Sequence, residues 1–246
     1  SAASADGDLF LDGGTDNTVG GTLSVTATAG GITDSATIAV TGDLTLNDVA
    51  TAGITLDTLE ADANVILTAA GNTAITNDAA LALQGAVTGT LAAIATTGDM
   101  TDSDTLTVSG ASVFTLGADG SNIILDSAAN AFSGAVTLKA GSSGGQTFGN
   151  IVFVDSGAID FDSAASADGD LFLDGGTDNT VGGTLAVTAT TGGITDSATI
   201  AVTGDLTLND VATAGITLDT LEADANVILT AAGNTSISKN SAYAYQ

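Results

Sequence analysis

Apolar residues along this chain come in pairs separated by one residue. Leu23/Val25, Leu44/Leu46, Val65/Leu67, Val136/Leu138, Ile159/Phe161, Leu185/Val187, Leu206/Leu208 and Val227/Leu229 all read this way, and Val87/Leu91 and Phe114/Leu116 fit the series more loosely. Alternation with period two puts both members of a pair on one face of a strand. A second pair follows each first one: Ile38/Val40, Ile54/Leu56, Leu81/Leu83, Leu106/Val108, Ile123/Leu125, Ile151/Phe153 and Leu171/Leu173. Lone apolar residues such as Ile32, Ile75 and Met100 lie between them. A helix would need apolar spacing of i, i+3, i+4, and Gly and Thr are too frequent for one.

Two periods are superposed. Residues 1–84 align without gaps to residues 163–246, and over 1–75 three positions differ: Ser24/Ala186, Ala29/Thr191 and Ala74/Ser236. One length of this long repeat divides at the apolar pairs into seven units: 22–42, 43–63, 64–85, 86–110, 111–134, 135–157 and 158–183. Most close on a glycine: Gly42, Gly85, Gly110, Gly134, Gly157 and Gly183.

The expected fold is all-β, a parallel β-helix or β-solenoid with 21–26 residues per coil and seven coils per long repeat. A strand of four or five residues cannot bury enough surface alone; stacked units turn the pairs into continuous ladders around a shared interior. Glycine supplies the positive φ that corners need, and Asp, Asn, Ser and Thr satisfy corner backbone groups. The chain has no Pro, as expected where every strand must donate hydrogen bonds to the next coil. Residues 1–246 read as one continuous segment, with the long repeat over 1–162 and a partial second copy over 163–246. An immunoglobulin-like sandwich needs longer strands and leaves the short period unexplained. The chain starts inside a coil, ends one residue short of the matching Gly85, and carries no evident cap at either end. The expectation is a piece of a longer array, or subunits stacked end to end.

Composition narrows the chemistry. There are 29 Asp+Glu against 2 Lys+Arg, with no His, Cys or Trp. Glu60 and Glu222 are the two Glu; the other 27 acids are Asp, and the two bases are Lys139 and Lys239. His or Cys metal sites and Ser-His-Asp or Cys-His catalysis are excluded. A net charge of -27 repels phosphate, so no nucleic-acid partner is expected. Hydrophobic residues make up 44% of the chain, which argues against disorder. No apolar run reaches the ~20 residues a membrane helix needs, so no membrane insertion is expected.

The segments Gly30-Gly31-Ile32-Thr33-Asp34-Ser35, Asp43-Leu44-Thr45-Leu46, Asn122-Ile123-Ile124-Leu125-Asp126 and Ala131-Phe132-Ser133-Gly134-Ala135-Val136-Thr137-Leu138 resemble the repeats of giant bacterial surface proteins. These are the filamentous-haemagglutinin-like and autotransporter-like adhesins. The resemblance covers essentially the whole chain. It implies a right-handed parallel β-helix, export, an extracellular or cell-surface location and display as a long fibre. Implied partners are the chain itself or adjacent repeats, together with other cells, surfaces or glycans.

The acidic turns are the strongest chemical candidates. Asp6-Gly7-Asp8 and Asp12-Gly13-Gly14-Thr15-Asp16-Asn17 recur as Asp168-Gly169-Asp170 and Asp174-Gly175-Gly176-Thr177-Asp178-Asn179. Asp and Gly in tight turns suit calcium's oxygen shell, which makes Asp12, Asp16, Asp174 and Asp178 candidate ligands. The competing reading is turn residues that cap backbone with their side chains, with no cofactor. Asp160 and Asp162 flank Phe161 and should point outward together, as a glycosidase pair could; no basic side chain lies near them in sequence to bind an acidic sugar, and no enzyme or catalytic residue is expected. Thr26/Thr28 and Thr188/Thr190 match a Thr-x-Thr ice-binding ladder, but the next coils break it with Asn47 and Ala69. Tyr243 and Tyr245 replace Leu81 and Leu83, which predicts a departure from the smooth stack or a contact with the next module.

Overall fold

A computed structural model describes residues 2–4, 9–11, 17–141, 146–175 and 179–239. Every regular element among them is a strand, every strand pair is parallel, and no helix is long and apolar enough to cross a membrane. The strands form a twelve-stranded and a sixteen-stranded sheet around a single core. The first sheet runs Ala2–Ser4, Leu23–Ala27, Leu44–Asp48, Asn64–Ala69, Leu81–Val87, Met100–Val108, Ile123–Leu125, Ile151–Asp155, Leu185–Ala189, Leu206–Asp210, Val227–Ala231. That path makes ten steps between coils, or roughly 48 Å at about 4.8 Å each. The chain is a parallel β-solenoid.

The apolar pairs face inward and stack like on like. Leu23 lies on Leu44, which lies on Val65; Val25 lies on Leu46, which lies on Leu67. Val25, Leu44, Leu46, Val65 and Leu67 are all buried. Each fully buried aliphatic side chain contributes about 1.5–3 kcal/mol relative to exposure. A slip of one residue would turn a whole ladder outward, so the pairs set the register.

The coil count agrees with the seven expected per long repeat, but the coils are less uniform than the 21–26 spacing. Leu23, Leu44 and Val65 stack at equal intervals of sequence. The turns from Val65 to Leu83 and from Leu83 to Asp102 are shorter. Those from Ile123 to Ile151 and from Ile151 to Leu185 are longer. Corner hydrogen bonds between adjoining coils show the same variation. Their partners stand 21 apart in sequence at Asp43/Asn64, 18 at Asn72/Thr90, 28 at Asn122/Asn150 and 34 at Asn150/Thr184. The phase therefore drifts. Leu23/Val25, Leu44/Leu46 and Val65/Leu67 belong to the first sheet, whereas Phe114/Leu116, Val136/Leu138 and Ile159/Phe161 belong to the second. The expectation that these form one series is corrected: an apolar–x–apolar pair is the same in either sheet, so spacing alone could not assign it.

Aromatic side chains enter the core between Phe114 and Phe161. Phe114, Phe148, Phe153 and Phe161 are fully buried. Phe132 stacks on Phe153 with centroids 5.3 Å apart and meets Phe114 edge-on at 5.8 Å. Corners close through glycine. A Cβ on Gly110 would come within 2.6 Å of Gly89 O, and one on Gly134 within 2.6 Å of Gly110 C, so successive coils touch backbone to backbone there.

Candidate functional site

The chemistry of this rod is concentrated at its corners. At Ile54–Ala61 the strand bends, pairing with Ile32–Asp34 through its first residues and with Ile38–Val40 through its last. The bend leaves the N–H groups of Asp57 and Thr58 without a ladder partner. Asp34, one coil earlier, supplies it: Oδ1 accepts from Asp57 N at 3.0 Å, and Oδ2 accepts from Thr58 N at 3.1 Å and Thr58 Oγ1 at 2.9 Å. Asp196 does the same for Asp219 N and Thr220 N at 2.6 and 2.9 Å. Asp102 does it for Asp126 N and Ser127 N at 3.0 and 2.9 Å, with Asn130 Nδ2 added at 2.6 Å. Bonds to a charged acceptor are the strong ones, about 1.5–3 kcal/mol each.

A plainer version recurs at other corners. Asp43 accepts from the backbone N and Nδ2 of Asn64, and Asp205 from those of Asn226. Asp99, Asn122, Asn150 and Thr184 form a chain across successive coils, each oxygen accepting from the next residue's backbone N at 2.8, 2.7 and 2.9 Å. These corner acceptors all reach toward the later coil. Their geometry explains the preference for Asp over Glu, since a side chain one methylene shorter reaches an N–H on the adjoining coil without folding back.

Three buried polar residues reach the opposite way. Asn77, fully buried, accepts from Ala61 N at 2.7 Å and donates to Ala61 O at 3.1 Å, standing in for a missing strand residue. Asn130 accepts from Leu106 N and Asp155 from Phe132 N, each on the preceding coil. Burial pushes the Asp155 carboxyl up, against the donors of Phe132, Ser156 and Gly157. Burial also raises Asp48, which accepts from Gly53 N at 2.9 Å. At Asp119 the backbone N–H and hydroxyl of Thr147 hold the carboxyl below its ordinary range.

Of the four candidate calcium ligands, Asp12, Asp16 and Asp178 lie outside the described residues. Asp174 ends the strand Asp170–Asp174, and its Oδ2 accepts from Lys139 Nζ at 2.6 Å, an ion pair between residues in register on adjacent strands. The described acids whose oxygens converge are Asp160, Asp162 and Asp170, within 4.8 Å of one another. Asp160 and Asp162 do flank a buried Phe161, as the alternation predicts. Asp160 lies directly opposite Asp170 in the ladder, a like-charge pairing that costs stability unless compensated. Compensation comes from hydroxyls and amides. Thr195 Oγ1 and Ser197 Oγ donate to Asp160 at 2.8 and 2.6 Å, and Ser166 N and Ala167 N donate to Asp170 at 2.9 and 2.6 Å. Burial raises the Asp170 carboxyl, but those donors outweigh it and leave it below the ordinary range. Tyr243 and Tyr245 also lie outside the described residues.

Sequence reasoning missed the double-capping corner, although it has a signature. Ile32-Thr33-Asp34-Ser35, Met100-Thr101-Asp102-Ser103 and Ile194-Thr195-Asp196-Ser197 share an inward apolar residue, Thr, Asp and Ser at the bend.

Comparison with known families adds one match. The model described as repeats of unknown function (DUF5649) matches residues 4–70, 70–139 and 149–222. The chain belongs to the DUF5649 repeat family. Each DUF5649 match spans about three coils. No curated protein and no solved structure matches the chain.

Proposed function

We propose that this DUF5649 chain is a structural segment of an extracellular bacterial fibre: a rigid acidic rod for surface display, cell adhesion or matrix building, of the kind built by filamentous-haemagglutinin-like and autotransporter-like adhesins. The observation that carries the reading is the use made of the corner acids. Asp34, Asp102 and Asp196 each hold two backbone N–H groups of the following coil. Acids committed to holding rungs together suit a scaffold better than a reaction centre. The unbroken apolar core through all the coils suits the same role. Electron microscopy of the native assembly tests it. Straight rods displayed at the cell surface, with diffraction near ~4.8 Å along the axis, are expected; compact particles confined to the cell interior would overturn it.

A second reading, a calcium-stiffened adhesin that binds surfaces or glycans directly through its acidic face, is favoured by the converging oxygens of Asp160, Asp162 and Asp170. Cation binding there would relieve the Asp160–Asp170 repulsion and raise the melting temperature by mass action. Melting with calcium and with a chelator separates the two readings: a large loss on chelation supports the adhesin, and superposable curves support the plain rod.

A further inference from the structure

The acids are distributed unevenly around the rod. On the first sheet the outward residues stack in register: Thr45, Ile66 and Gln84 early in the chain, Ala186, Thr207 and Ile228 late. Asp48, Asp155 and Asp210 lie on the same sheet but at inward positions, and all three are buried. Among the described side chains of this sheet, Met100–Val108 is the one strand that turns acids outward, at Asp102 and Asp104. The second sheet is different. Its outer face carries Asp57, Glu60, Asp219 and Glu222 on the two bent strands alone.

We infer that the outer face of the first sheet is where a second copy of this chain packs, sheet against sheet, across a two-fold axis. Charge selects the face. Copies with a net charge of -27 repel, and contact through the second sheet would set rows of carboxylates within a Debye length of about 8–10 Å. The first sheet offers uncharged side chains at the strand spacing of the partner, the surface on which two sheets pack face to face. The area suffices. Ten steps of about 4.8 Å by strands roughly 15 Å long give roughly 700 Å² per copy and roughly 1,400 Å² in all, within the range of stable interfaces. The internal duplication makes the two contacting ends alike. Residues 23–69 and 185–231 differ at two positions, so a two-fold axis between them lays the early coils of each copy on the late coils of the other. The axis falls near Met100–Val108 and brings Asp102 and Asp104 close to their counterparts. That repulsion makes the pairing salt-dependent.

Sedimentation velocity on the 246-residue chain, over a wide concentration range at low and high sodium chloride, tests this. The dimer fraction rises with salt. Thr45→Asp with Thr207→Asp weakens pairing at least about tenfold. Thr45→Lys with Thr207→Lys weakens it too, although the net charge falls. Asp104→Thr strengthens it at low salt. Thr55→Asp with Thr217→Asp, outward on the second sheet, leaves it unchanged. A chain that stays monomeric at every salt concentration, with Asp104→Thr monomeric as well, overturns the inference. So does tighter pairing by the Lys variant, or equal weakening by the second-sheet variant. Monomeric rods would leave the fibre reading standing, because continuity along the axis does not require pairing across it.

Discussion

Residues 23–69 and 112–185 solve the same packing problem with different side chains and different turn lengths. In the first region the coils recur evenly at Leu23, Leu44 and Val65, and Leu and Val fill the interior. In the second, Phe114, Phe132, Phe153 and Phe161 are buried, and the turns from Ile123 to Ile151 and from Ile151 to Leu185 are longer, the latter because Ile159–Phe161 and Asp170–Asp174 both enter the second sheet. The rung spacing is common to both, because parallel strands continue from one region into the other. What differs is the loop length at the corners and the volume of the inward side chains. Rise along the axis is thus set by backbone hydrogen bonding, and the filling of the interior by which side chains the sequence places inside.

The largest expected effect breaks the aliphatic region. Leu46 is fully buried between Val25 and Leu67, and Leu46→Asp places an unpaired charge there, costing ~5 kcal/mol. Unchanged thermal unfolding would contradict the inward ladder. Phe153→Ala tests the aromatic region in the same assay and should cost ~3–5 kcal/mol through lost area and a cavity. A cost below ~1 kcal/mol would mean the long coils collapse around the gap, so the two regions are not packed alike.

The corners give a smaller effect. Asp34→Ala leaves the N–H groups of Asp57 and Thr58 unpaired and should cost ~2 kcal/mol. Asp34→Glu should recover less than half of that; full rescue would refute the explanation offered for the scarcity of Glu. The pH dependence sharpens the comparison further. Asp48 in the aliphatic region and Asp155 in the aromatic one both have raised carboxyls in the fold. The destabilisation they bring is absent below the unfolded carboxylate range near ~4 and is complete once pH has passed their raised folded values. Asp119 and Asp170 act oppositely, adding stability above that range and losing it as pH falls through their lowered values. Asp155→Asn keeps an acceptor for Phe132 N and removes the charge. It should raise the melting temperature at neutral pH and flatten its fall between acid and neutral pH. A slope identical to that of the parent protein would count against the assignment. Smallest of all is Lys139→Met. The pair with Asp174 is 40% and 30% exposed, so solvent screening limits the loss to under ~1 kcal/mol.

The fold class was legible because burial imposes a period of two wherever a strand has one face inside, and Leu44-Thr45-Leu46 or Val136-Thr137-Leu138 shows it directly. Coil length was less legible. Leu81/Leu83 and Leu171/Leu173 look alike in sequence, yet the first pair lies in one sheet and the second in the other. The residues that decide between them are loop insertions without a pattern of their own. At the corners, composition pointed to side-chain caps but not to their targets. Asp34 caps residues 23 and 24 positions away, a distance that appears only once the coil length is known. The meeting of Asp160 with Asp170 was hidden for a related reason. It arises where Asp170–Asp174 and Ile159–Phe161, from one stretch of chain, pair in parallel with each other inside the second sheet.

The one-way reach of the corner acceptors gives the molecule a head and a tail. Sliced at the rung of Asp34 or Asp196, the earlier cut surface would present a carboxylate awaiting donors, and the later one the amides it had held. Like beads with a plug and a socket, modules built on this plan can be threaded in one sense and refuse the other. A chain that emerges from its amino end would also find each landing place ready before the next turn arrives.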